Sequence, residues 1–139
     1  MYGVRVIHAK LELVGQHVMG LDVKFAPRGK DGGPVVYTGD RDWLEPGTPY
    51  YNDENGTAWE LPRYSSDIAA AWQVVEKFKE RKLYMSVECV GDTGYHAVVY
   101  DEDGNHLTDA YSEEGPAHAV CVAALRAVGV EVPVDALTA

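Results

Sequence analysis

The stretch SSDIAAAWQVVEKFKERK, residues 65–82, decides the fold. It opens with Ser65 in a capping position and puts Asp67 in the first turn, where a negative charge suits the helix dipole. Ile68, Trp72, Val75 and Lys79 recur on one face, with Ala71, Val74 and Phe78 beside them. That spacing predicts an amphipathic helix over 65–82 with a wide apolar stripe. Lys77, Lys79, Arg81 and Lys82 gather at its end, the favourable place for cations.

Beyond that helix the period changes from helical to alternating. LYMSVECV (83–90) places Leu83, Met85, Val87 and Cys89 on one side, the pattern of a strand with one buried face. Turn residues at 91–94 and 101–105 separate it from strands at 95–100 and 106–111, so a meander spans about 83–111. Gly115 and Pro116 then open a helix over 116–128, with proline at its tolerated first position and Gly129 as the stop.

On the N-terminal side, Leu11, Val14 and Val18 mark a helix over 8–19, closed by Gly20. Residues 1–7 read as an added arm, a short strand or extended segment with Val4 and Val6 alternating. Residues 26–62 are rich in Gly and Pro, with turns at Pro27-Arg28-Gly29, Asp31-Gly32-Gly33-Pro34 and Pro46-Gly47. Within them, residues 49–61 read as a hairpin around Asn55-Gly56, a pair that suits a tight primed turn. The expected class is α+β: a small antiparallel sheet packed by helices at about 8–19, 65–82 and 116–128, in one domain over 1–139.

The 139 residues include 22 acidic and 12 basic ones, a net charge of −10. A domain this long buries roughly two thirds of its unfolded surface without metal or disulfide staples. Such acidity excludes a protein built to grip duplex nucleic acid or anionic membrane, since both need a basic face. No apolar run approaches the ~20 residues of a membrane span, and MYGVRVIHAK lacks a signal-peptide pattern. A cytoplasmic protein is expected.

The charge is uneven. Residues 31–60 carry seven acidic side chains and one basic, and residues 88–114 carry eight acidic and none basic. Asp40, Asp42 and Glu45 in the first tract, and Asp101, Glu102 and Asp103 in the second, are candidates for an acidic surface engaging a basic protein.

Chemical motifs are sparse. Cys89 and Cys121 read as buried free thiols. The five histidines show no HxxxH pattern, and the cysteines no CxxC, so no metal or other cofactor is expected. Asp101-Glu-Asp-Gly-Asn105 resembles the start of a calcium loop, but His106 and Ser112 stand where the EF-hand needs Gly and Glu. No Walker A, GxGxxG, GxSxG or HExxH occurs. His96 on its strand suits acid–base chemistry but has no nameable orienting partner. One candidate ligand site stands out. The helix start at Arg63, Tyr64, Ser65, Ser66 and Asp67 offers N–H groups, hydroxyls and a guanidinium to an anion. Trp59 or Tyr64 would stack on a ring.

PRYSSDIAAAWQVVEKF (62–78) resembles the signature of the phage ABA sandwich domain, a Pro-Tyr-Ser-Thr-Asp-Ile-Ala-Ala-Ala-Trp run followed by Val-Val-Glu-Lys. LVGQHVMG (13–20), YYNDENGTAWELP (50–62) and PAHAVCVAALRAVG (116–129) resemble the family's N-terminal helix, aromatic hairpin and C-terminal helix. Leu21 stands where the family commonly has Trp, and the loop 26–48 is expanded. The resemblance implies a layered α-β-α sandwich made by tailed phages or prophages, and it brings no catalytic residues. Taken with the acidic tracts and the lack of catalytic motifs, it leads to the expectation of a non-enzymatic accessory protein in the host cytoplasm that binds and inhibits a host defence or regulatory protein through an acidic surface. Two alternatives stand beside this: a sponge for a nucleotide-like immune signal at Arg63–Asp67, and a small hydrolase or transferase. The hairpin aromatics equally suit a homo-oligomer interface.

Overall fold

The structure is a computed structural model that describes residues 11–130. The expected arm at 1–7 and the first residues of the 8–19 helix lie outside the described residues. A helix, α1, runs through residues 11–18 and ends in a π-helical segment, Val14–Val18. It is followed by β1 (Lys24–Phe25), β2 (Pro49–Asn52), β3 (Ala58–Glu60), α2 (Ile68–Glu80), β4 (Tyr84–Val90), β5 (Gly94–Tyr100), β6 (His106–Ser112) and α3 (Pro116–Ala127). The strands form two antiparallel sheets, β1-β2-β3 and β4-β5-β6. The α+β class and the sandwich of helices and sheet are therefore as expected.

The core is built on α3. Nine of its residues are buried, from Ala117 to Leu125, and it packs against β5, β6, α2 and α1. A helix that is apolar all round must be covered all round. Met85, Val87, Tyr95, Ala97, Val99 and Ala110 supply the sheet's inward face. Leu11, Val14 and Val18 join the same core from α1, as their spacing foretells.

α2 departs from its expected orientation. Its buried residues are Ala70, Ala71, Val74, Val75 and Phe78. Ala71, Val74, Val75 and Phe78 follow the i, i+3, i+4, i+7 rule, and the two alanines let α3 approach closely. Ile68 and Trp72, read as core, are 50% and 54% exposed. They lie one step round the helix from the packed stripe. The cap also shifts. Residues 62–66 form their own turn, with Asp67 N–H bonded to Arg63 O, so Asp67 instead of Ser65 caps α2 and accepts from Ala69 N–H at 3.0 Å.

The helix ends are tied by matched devices. Leu83 N–H reaches back to Phe78 O, and Val130 N–H to Leu125 O. This closure needs a left-handed residue after the cap. Gly129 fills that place after α3 (φ 82°) and Lys82 after α2 (φ 61°). Arg81 donates to Val18 O at 2.7 Å, fastening the end of α1 to the end of α2.

The smaller sheet is held by turns. Asp53 accepts from Asn55 and Thr57 N–H, and its other oxygen accepts from Trp59 Nε1 at 2.9 Å. Only Gly56 takes a positive φ in this turn. The primed turn expected at Asn55-Gly56 is thus replaced by a side-chain-capped one. Asp101 builds the same turn between β5 and β6, accepting from Asp103 and Asn105, with Gly104 left-handed. Residues 36–44 make a further small hairpin, in which Tyr37 and Trp43 pair across the strands with ring centroids 5.0 Å apart.

Candidate functional site

The β4-β5-β6 sheet has one face on the core and one open to solvent. Register fixes what the open face presents. One row runs Glu88, His96, Tyr111, the next Ser86, Val98, Asp109, and the last Tyr84, Tyr100, His106. Tyr84 and Tyr111 are 39% and 49% exposed. Val98, in the middle, is buried among its neighbours and forms a floor.

At the centre, His96 lies between two carboxylates. Its Nε2 is 2.7 Å from Asp109 Oδ2 and its Nδ1 is 3.6 Å from Glu88 Oε1. The Asp109 hydrogen bond pushes His96 above its ordinary range, and Glu88 adds to the effect. The same bond holds Asp109 below the usual carboxylate range. Protonated, the ring donates to Asp109 and forms a looser ion pair with Glu88. Arg126 donates to the backbone carbonyl of Asp109 at 2.8 Å, which places one cation at the sheet margin beside that carboxylate.

The aromatic members are equally fixed. Tyr100 and His106 meet edge to face at 6.2 Å. The Tyr111 ring lies over Gly94, where an added Cβ would fall 2.3–2.6 Å from its atoms. Its hydroxyl donates to Glu113 Oε1 at 3.2 Å. Carboxylates, phenol rings and a histidine thus share one surface, and residues 83–125 contain no Lys or Arg. Carboxylates pair with ammonium or guanidinium groups, and Tyr rings stack on guanidinium planes.

A second histidine is interior. His118 is buried, with Nδ1 2.7 Å from Ser112 Oγ and Nε2 2.9 Å from Glu114 Oε2. Ser112 Oγ also accepts from Glu114 N–H. This chain fixes the corner where β6 turns into α3. A shallow groove of about 290 Å³ lies beside Trp72, with Met19, Gln73, Glu76 and Lys77 among its walls. Among the described residues no group of three or more His, Cys, Asp and Glu is placed to hold a metal ion, and no helix is long and apolar enough to cross a membrane.

Comparison with known proteins places this architecture. The family model of the phage ABA sandwich domain matches residues 12–125. The chain belongs to the phage ABA sandwich domain family. A phage protein from Bacillus cereus ATCC 14579, known from a 2.0 Å crystal structure, shares the fold. It superposes with a TM-score of 0.60 at 20% identity, covering 91% of each chain. No curated protein matches.

Within this sandwich fold the residues expected to bind are dispersed. Of the anion-site candidates, Arg63 and Ser66 are exposed and Ser65 is buried. Tyr64 is only 1% exposed and belongs to the core, so it does not stack on a ligand. Burial pushes its hydroxyl well above the usual phenol range. Trp59 is pinned by Asp53 and packs against Gly39, where a Cβ would come within 2.5 Å of the indole. Asp40 and Asp42 sit on the 36–44 hairpin, with Glu45 just past it, all exposed. Asp101, Glu102 and Asp103 form the β5–β6 turn, next to the Tyr100–His106 pair of the open face. Asp101 spends its carboxylate on that turn, which holds it below the usual range. Cys121 is buried as expected, whereas Cys89, near the end of an outer strand, is exposed.

The residues that reading the sequence overlooked are Glu88, Asp109 and the tyrosines that share His96's face. The signal was present but indirect. The strand period marks which residues share a face, and the register that brings 88, 96 and 109 together also includes a slip at Val99/Tyr100.

Proposed function

We propose that this phage ABA sandwich protein is a non-enzymatic accessory protein acting in the host cytoplasm. It binds and inhibits a host defence or regulatory protein, engaging a Lys- and Arg-rich patch with the open face of β4-β5-β6. One observation carries the reading: Glu88, Asp109, Tyr84, Tyr100 and Tyr111 share that face, in a segment without Lys or Arg. Complementary charge speeds encounter and selects partners, and aromatic rings supply desolvated contact area. The Asp101–Asp103 turn extends the acidic character at one end.

Capture from host lysate on the immobilised protein tests this, comparing Glu88→Gln/Asp109→Asn with Asp40→Asn/Asp42→Asn. The sheet variant is expected to lose roughly tenfold or more of the captured partner, and the loop variant to keep it. Wild-type capture should weaken as salt rises. Equal, salt-independent capture by the sheet variant would reject the reading.

A further inference from the structure

Four strands stand at sheet margins among the described residues, and exposed edges invite pairing with another chain. Three of them are blunted. β1 is two residues long and carries Lys24. β3 is covered, since Thr38 bridges Ala58 and Gly39 N–H donates to Ala58 O at 2.9 Å. β6 has its Asp109 carbonyl occupied by Arg126, and its register with β5 slips at Val99/Tyr100.

β4 has none of these protections. It runs seven residues, Tyr84-Met-Ser-Val-Glu-Cys-Val90, with no Lys, no Pro and an unbroken register to β5. Its side chains are half-buried or exposed throughout. Its one charge, Glu88, faces His96 on the open side of the sheet.

We propose that β4 pairs antiparallel with β4 of a second copy of this chain, joining two sheets into one of six strands. The strand is self-complementary about Val87. A two-fold there sets Tyr84 against Val90, Met85 against Cys89, Ser86 against Glu88 and Val87 against itself. Every inward residue then meets an inward residue, and no like charges face each other. Moving the two-fold to Glu88 would oppose two carboxylates. Moving it to Ser86 leaves the end of β4 unmatched. Such an interface is isologous and closed. It joins the open faces of the two copies edge to edge without covering either, so it is independent of what those faces bind.

Analytical ultracentrifugation of the full chain over a micromolar series at ~0.15 M salt tests this, with Ser86→Glu and Ser86→Lys beside the wild type. Ser86 is exposed, and equal thermal midpoints at low concentration show that both variants fold. In the proposed register residue 86 faces the partner's Glu88, twice per dimer. Ser86→Glu should therefore raise the dimer Kd roughly tenfold, and Ser86→Lys should lower it. A wild type that stays monomeric throughout overturns the pairing. So does a dimer that both variants leave unchanged, or that both weaken alike.

Discussion

The two sheets have equal strand numbers and unlike supports. β4-β5-β6 uses three seven-residue strands and lays one face on the buried helix α3. β1-β2-β3 uses strands of two, four and three residues. Its buried Ala58, and Leu61 just beyond β3, lie outside the main core cluster. The hairpin turns of both are nearly the same, Asp-Glu-Asn-Gly-Thr at 53–57 and Asp-Glu-Asp-Gly-Asn at 101–105. The larger sheet uses its turn to set register and takes its stability from area removed from water. The smaller depends on its turn for stability as well, because Asp53 also holds Trp59.

The largest test of this contrast is Phe78→Ala. Phe78 is fully buried between α2 and the core. Its loss should cost about 3–5 kcal/mol and lower the urea midpoint of the whole domain. A change confined to one sheet would show that the two unfold separately.

Asp53→Ala comes next. It removes three acceptor interactions from the small hairpin. Amide exchange should quicken in β2 and β3 and stay slow in β5, since local openings follow local support. The matching Asp101→Ala change should act less on its own strands, which keep α3 behind them. Equal effects at both turns would erase the distinction.

The smallest effect is the pH dependence of the open face. His96 is raised above its ordinary 6.5 by Asp109 and Glu88. Its contribution is therefore full below 6.5 and lost as pH rises through the folded value. Asp109 is lowered from 3.8. Its contribution is present above that value and lost as pH falls through the folded one. The pair thus stabilises most in the mildly acidic range between them. Urea midpoints from pH 4 to 9 should show a slight decline through neutrality that Asp109→Asn removes. A parallel decline in that variant would assign the effect to another group.

The parts of the fold legible in the sequence were those with strong period or punctuation. α3 has Pro116 and Gly129 at its limits, and the meander has Gly- and Asp-containing turns at 91–94 and 101–105. The face of α2 was misjudged because Ile68 and Trp72 are more hydrophobic than Ala70 and Ala71, yet close helix packing selects the small residues. Tyr64 escaped notice as core because its turn gives no periodic signal. The candidate site was the least legible. Glu88, His96 and Asp109 span 22 positions of sequence, and their meeting depends on register, including a slip at Val99/Tyr100 that no local pattern announces.

Gly94 gives the open face a shape control separate from its charge. Because the Tyr111 ring occupies the space of a missing Cβ there, a single methyl group at position 94 would evict the ring and alter the relief of the surface. Every carboxylate would stay, and so would the core on the far side. One small substitution at a strand end thus reshapes this surface and leaves the structural framework intact.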